Sequence, residues 1–393
     1  MAGLLRPYQD VLSVPGAWRF SGSAFVARVP MAMLGIGMVL LVTSVRDSYA
    51  DAGAVAASAV VAGSLMAPLQ ARVADRFGQP RVIAPLLLAH SLTLTAAVLA
   101  TTAGASLLWV ALAAAASGAT LPQFDSFVRV RWAAQLQGVG RLPTAFALES
   151  VLDEVIFVVG PVLVTLVATT VSPVLGVLGT LVFTVGGGLA FLSCRSTVPP
   201  RHARVPGSRR DPLNLRTLVP LVGAFVGLGV VFGAVEVTTV GYAEVRGQPE
   251  LTGLVLAAFA AGSLLAGLVF GLLAQGPPRR ARMVVAQAAL VGALALTQVV
   301  DSLAALAAVL ALAGVSISPS LITGFGLAES SSARSRVTES LAWTVTALGI
   351  GVAVGSALVG PVIDSRSPSE AYLVAVVAGV VAVVASATVP GRR

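Results

Sequence analysis

The chain has no lysine, one cysteine and two histidines among its 393 residues. Each scarcity removes a class of chemistry. Without lysine there is no Walker A loop to hold a nucleotide's phosphates and no amine for a Schiff base. Cys194 has no intrachain partner for a disulfide, and His90 and His202 do not make a zinc ligand set. The G-x-S-x-G nucleophile elbow is also missing. With neither a nucleophile–base pair nor a metal set in view, the sequence points away from an enzyme and calls for no cofactor.

Charge is scarce as well: 11% of residues are charged and 56% are hydrophobic, giving a mean hydropathy of +0.92. That composition lies outside the soluble range. The apolar residues fall into runs of about 20, the length that crosses a hydrocarbon core as a helix. They lie near 20–45, 52–71, 82–101, 106–128, 145–169, 173–194, 217–240, 251–274, 283–300, 303–327, 338–362 and 371–389. The pattern predicts an all-α membrane protein of twelve transmembrane helices. The first run is read as a span rather than a cleaved signal peptide, because it is long and no small-residue cleavage site follows it.

The arginines mark one side. They cluster in alternate gaps, at Arg72/Arg76/Arg81, Arg129/Arg131/Arg141, Arg195–Arg216, Arg279/Arg280/Arg282, Arg334/Arg336 and Arg392/Arg393. The other gaps carry mostly acidic residues. Basic loops are retained in the cytoplasm, so both termini are expected there, in a plasma (inner) membrane. The net charge of +8 is then topological rather than a nucleic-acid footprint, since it is divided among separate short loops.

Short segments recur. Ala62-Gly63-Ser64-Leu65 returns as Ala261-Gly262-Ser263-Leu264, Glu149-Ser150 as Glu339-Ser340, and Pro122 as Pro319, at offsets of 199, 190 and 197 residues. Matches in the same order at nearly one offset predict two pseudo-symmetric six-helix bundles, residues 1–194 and 218–393. Residues 195–217, rich in arginine and proline, read as a tether between them.

The most specific local signal follows the second span: Gly63-Ser-Leu-Met-Ala-Pro68-Leu-Gln-Ala-Arg72-Val-Ala-Asp75-Arg76-Phe-Gly78-Gln-Pro-Arg81. It reads as a helix end, a tight turn at Gly78 and a new helix. The stretch resembles the signature loop of the major facilitator superfamily, and the twelve spans, two halves and basic central loop extend the resemblance over nearly the whole chain. The resemblance implies that Asp75 caps the helix beginning near Val337 and that Asp125 pairs with Arg72 or Arg76. Gln79 and Pro80 stand where the family often has basic residues.

Ionisable groups within spans are functional candidates. Glu149 and Asp153 are four apart on one helix face, and Glu154 points elsewhere. Arg28 in the first span and these two acids lie at a common depth, roughly 6–13 Å from the basic side. The family fold sets helices one and five side by side, which implies an Arg28–Asp153 or Arg28–Glu149 pair. Such a pair is either a static bridge or a proton site, and Glu154 is the better proton carrier if it faces the cavity without an arginine. Glu236 near the outer end of the seventh span meets substrate or a proton, or else external water. Glu339 is read as a cap and His90 as a satisfied core histidine. Trp109, Trp132 and Trp343 are read as belt or packing residues. Pro122 and Gln123, and their counterparts Pro319 and Ser320, are candidates for lining the cavity, because proline frees a carbonyl in a helix.

The resemblance implies secondary transport by alternating access, with a small-molecule substrate, protons and the lipid bilayer as partners and a monomer as the unit. Proton-coupled efflux of small amphipathic compounds is the first expectation. Exporters of the family usually carry an arginine within helix four and paired glycines after a glycine-proline in helix five. Here the fourth span has no arginine between Ser106 and Phe127, and Gly160-Pro161 is followed by Val162-Leu163-Val164-Thr165. Uptake by proton symport, or lipid and lysolipid transport, is the alternative.

Overall fold

The computed structural model describes residues 9–136, 141–199, 213–272, 279–331 and 337–390. Twelve helical segments among them are long and apolar enough to span a membrane. We number them α1 (Ala17–Arg46), α2 (Tyr49–Phe77), α3 (Gln79–Thr102), α4 (Leu107–Gln135), α5 (Leu142–Thr170), α6 (Pro173–Ser193), α7 (Leu215–Val245), α8 (Thr252–Leu272), α9 (Arg279–Ala295), α10 (Leu303–Ser331), α11 (Val337–Ser365) and α12 (Pro368–Thr388). Their ends follow local chemistry. Ser48, Ser302 and Ser367 cap α2, α10 and α12, each accepting at 3.2 Å from the backbone N–H three residues on. Gly78, at φ 90°, takes a conformation that other residues avoid and turns the chain from α2 into α3.

Three spans are interrupted. In α1 a 3-10 turn at Val29–Ala32, set by Pro30, separates Ala17–Arg28 from Leu34–Arg46. In α4, residues 121–123 separate Leu107–Thr120 from Phe124–Gln135. In α10 the break falls between Gly314 and Ile317. By contrast α7 runs unbroken over 31 residues.

The recurrent Ala-Gly-Ser-Leu segments are helix contacts. A methyl group on Gly118 of α4 would collide with the carbonyl oxygen of Ala59 in α2, and one on Gly314 of α10 would collide with that of Phe259 in α8. Gly63 and Gly262 face the same crossings from α2 and α8. Small residues let helix backbones approach where no hydrophobic effect drives them together. The sequence match therefore records one packing solution used in each half.

Helices α1–α6 and α7–α12 form the two bundles, joined through α2 against α11 and α5 against α8. Because the spans are even in number, the first and last helices begin and end on one face, the terminus face. The buried apolar residues divide by level. One cluster crosses both halves toward the opposite, far face, from Leu41 and Val42 of α1 to Val237 and Tyr242 of α7. Near the terminus face the cores are separate: Phe20, Phe124 and Phe191 in the first half, Phe225 and Met283 in the second. The halves are sealed at the far face and part toward the terminus face.

Candidate functional site

Helices α1, α4 and α5 bring together two guanidiniums and three carboxylates. Arg28, almost wholly buried, pairs with Glu149, with Asp153 at 2.7 Å and with Asp125 at 3.5 Å. Arg129 closes the ring, reaching Asp125 at 2.9 Å and Asp153 at 3.1 Å. Glu149 has no exposed surface and also accepts from Ser21 Oγ and Trp132 Nε1, both at 2.6 Å. A carboxylate so enclosed is retained because both of its oxygens have donors, one of them a guanidinium. Both pairings expected of Arg28 are present at once. Asp125 is partnered by Arg28 and Arg129 rather than by Arg72 or Arg76, which lie exposed at the terminus face with Arg81. The reason is reach: Arg129 follows Asp125 by one helical turn. The side chains of Asp75 and Glu339 lie outside the described residues, as do Arg334 and Arg336.

Glu154, one residue beyond Asp153, faces the other half. Its Oε1 accepts from Ser263 Oγ of α8 at 3.2 Å and from Ser318 Oγ of α10 at 3.1 Å. Ser263 and Ser318 are themselves 2.9 Å apart, and Ser318 Oγ also lies 2.9 Å from the Ser263 carbonyl. This carboxylate thus joins the bundles near mid-membrane with no ion-pair partner among the described residues. Glu236 of α7 also faces the first half. It is half-buried, and its carboxylate rests where a side chain on Gly35 would otherwise sit, just past the break in α1. Neither a hydrogen bond nor an ion pair is seen for it among the described residues.

The proline candidates behave differently from the expectation that they line a cavity. Gln70 of α2 donates from Nε2 to the carbonyls of Ala119 and Leu121, both at 3.0 Å, and its Oε1 accepts from the Gln123 N–H at 3.2 Å. The carbonyls near Pro122 are therefore answered by protein, and Pro122 is buried. In α10, Ser320 has no exposed surface and bonds back to the Ser316 carbonyl at 2.7 Å, while Pro319 is half-buried. Ser318, two residues earlier, makes the interface contact instead.

Buried Arg131 was the least legible residue. Grouped by sequence with the topological arginines, it has no exposed surface. It donates to Gln79 Oε1 at 2.9 Å and to the carbonyls of Phe191 and Cys194 at 3.1 and 3.2 Å, stacked on the Phe191 ring. It therefore closes the C-terminal end of α6, whose last carbonyls lack helical partners. Gln79 is its partner, and also donates to the Phe127 carbonyl at 3.0 Å. That explains an amide where the signature loop often carries a cation. Of the two readings for Trp132, belt or packing, the structure gives packing: it is a buried core residue that also donates to Glu149. His90 is fully buried and donates from Nδ1 to the Ser117 carbonyl at 3.0 Å, while its Nε2 has no hydrogen-bond partner among the described residues, so the expected core histidine is only half satisfied.

The family model described as Major Facilitator Superfamily matches residues 20–293. The chain belongs to the major facilitator superfamily. Among solved structures, a mutant form of the nucleoside transporter NupG is similar at a TM-score of 0.74 and 14% identity, covering 94% of this chain and 98% of that one. A POT family transporter in complex with 5-aminolevulinic acid is similar at a TM-score of 0.70 and 10% identity, with 95% of each chain covered. No curated protein sequence is significantly similar. This superfamily member is a multi-pass membrane protein that moves small molecules by secondary active transport with alternating access, and is not an enzyme.

Proposed function

We propose that the protein is a proton-coupled uptake transporter for a small polar metabolite, with Glu154 as the coupling carboxylate. The observation that carries this reading is the position of Glu154: it joins α5 to α8 and α10 through two hydroxyls and has no arginine beside it among the described residues. An ionised carboxylate only accepts hydrogen bonds, whereas a protonated one also donates. Loading a proton therefore changes the bonds that join the two bundles. Asp153, one residue away, is held by Arg28 and Arg129 and acts with Glu149 to position the first bundle. Glu236 is a second carboxylate at the interface, facing Gly35, and is the candidate contact for substrate.

The arginine pattern supports a cytoplasmic terminus face, which makes the sealed far face external and this state inward-facing. The two bundles are residues 1–194 and 218–393 about the tether 195–217, and the unit is a monomer in the plasma membrane. Uptake is favoured over drug efflux because the exporter features of helices four and five are incomplete in this chain. A nucleoside, after the similar nucleoside transporter, and 5-aminolevulinic acid, bound in the similar POT family structure, are the first compounds to try. Proteoliposomes with an acidic exterior should accumulate a substrate that neutral-exterior vesicles do not. Extrusion of amphipathic compounds from such vesicles, with no accumulation of any metabolite, would establish efflux instead.

A further inference from the structure

The far face is closed by a contact that the transport reading does not use. Asp364, at the end of α11 in the second half, accepts from the backbone N–H of Tyr49 at 2.9 Å and of Ala50 at 2.8 Å, and from Ser48 Oγ at 3.2 Å. These groups form the first turn of α2 in the first half. Beside them Tyr49 Oη donates to Glu244 at the end of α7. Every acceptor comes from one bundle and every donor from the other.

The arginines at this face are occupied within their own halves. Arg46 pairs with Asp51 at 3.5 Å and donates to the Ala105 carbonyl at 2.8 Å. Arg366 pairs with Glu370 at 3.3 Å, and Arg246 stacks on Tyr242. No described arginine therefore bridges the bundles here. The cross-half tie is a carboxylate on the free amides of a helix N-terminus, where the helix dipole favours negative charge. Beneath it the backbones are close enough that a methyl on Gly360 would meet Tyr49, and one on Gly53 would meet the Ser356 carbonyl.

We infer that Asp364 and Glu244 form a low-energy latch that holds the far face shut by capping and tethering the start of α2. Its strength suits a gate that must open in every cycle. When the face opens, the amides and both carboxylates pass to water, so only the difference between a charge-assisted bond and hydration is lost. Ser48 keeps its own bond to the Asp51 N–H, so α2 retains a cap after the latch releases.

The experiment is a distance measurement between spin labels on the far face, in full-length protein carrying Cys194→Ser. Labels at Ala103 of the first half and Gln248 of the second report far-face separation independently of transport. Asp364→Asn keeps an acceptor and removes the charge; Glu244→Gln does the same for the tyrosine tie. Each should raise the ratio of the far-face-open to the closed population about threefold, and the double variant should exceed either. Distance distributions superimposable on the parent's in all three variants would overturn the latch. If Asp364→Asn does not yield folded protein, Glu244→Gln, at an exposed position, decides alone.

Discussion

Glu149 and Glu154 share a helix, yet Glu149 is enclosed by Arg28, Ser21 and Trp132 while Glu154 reaches serines in the other bundle. Their substitutions should separate accordingly. Glu149→Gln leaves Arg28 short of its innermost partner and should destabilise by about 3 kcal/mol, read as a lowered midpoint of thermal unfolding in detergent. Trp132→Phe removes one donor to the same carboxylate and should cost about 2 kcal/mol. Glu154→Gln should stay within about 1 kcal/mol of the parent, because an amide still accepts from a serine. The sequence made Arg28, Glu149 and Asp153 legible as a group through their spacing and depth together with the family resemblance, which sets helices one and five side by side. It could not reveal Ser263 and Ser318 as partners of Glu154, because an uncharged hydroxyl in a span carries no signal of what it pairs with.

The twelve spans were legible as elements from hydropathy alone, and the arginine alternation supports the proposed cytoplasmic terminus face. Their interruptions were legible in part. Pro122 signals a break in α4, but the group that satisfies the break, Gln70, is on α2 and carries no local signature. Gln70→Leu should leave the Ala119 and Leu121 carbonyls unanswered and destabilise the protein by about 2 kcal/mol. A conservative Gln70→Glu change keeps the acceptor for the Gln123 N–H and loses the donors, so it should fall with the leucine variant in thermal unfolding. The recurrent glycines were legible as a repeat without their reason. Gly262→Val puts a branched side chain against the Ala311 carbonyl and should unseat α8 from α10. Loss of monodisperse protein in size-exclusion chromatography is the expected result, with Gly292→Val, in open space, as the tolerated control.

On the scale of the whole molecule, the single core at the far face and the two separate cores toward the terminus face describe one end of an alternating-access cycle. The sequence carries both bundles but not which face is closed, because that depends on contacts between segments such as Ser48–Ala50 and Asp364, more than 300 residues apart. In such a cycle, coupling requires a proton-binding group whose bonds differ between the two states, and Glu154 sits on that boundary. The most direct test compares two assays of Glu154→Gln in proteoliposomes, using whichever nucleoside or amino-acid-like compound the parent accumulates. Uphill accumulation under an acid-outside gradient should be lost, while exchange of labelled for unlabelled substrate without a gradient should persist, because exchange needs alternating access but no net proton movement. Retention of gradient-driven accumulation by Glu154→Gln would contradict the account.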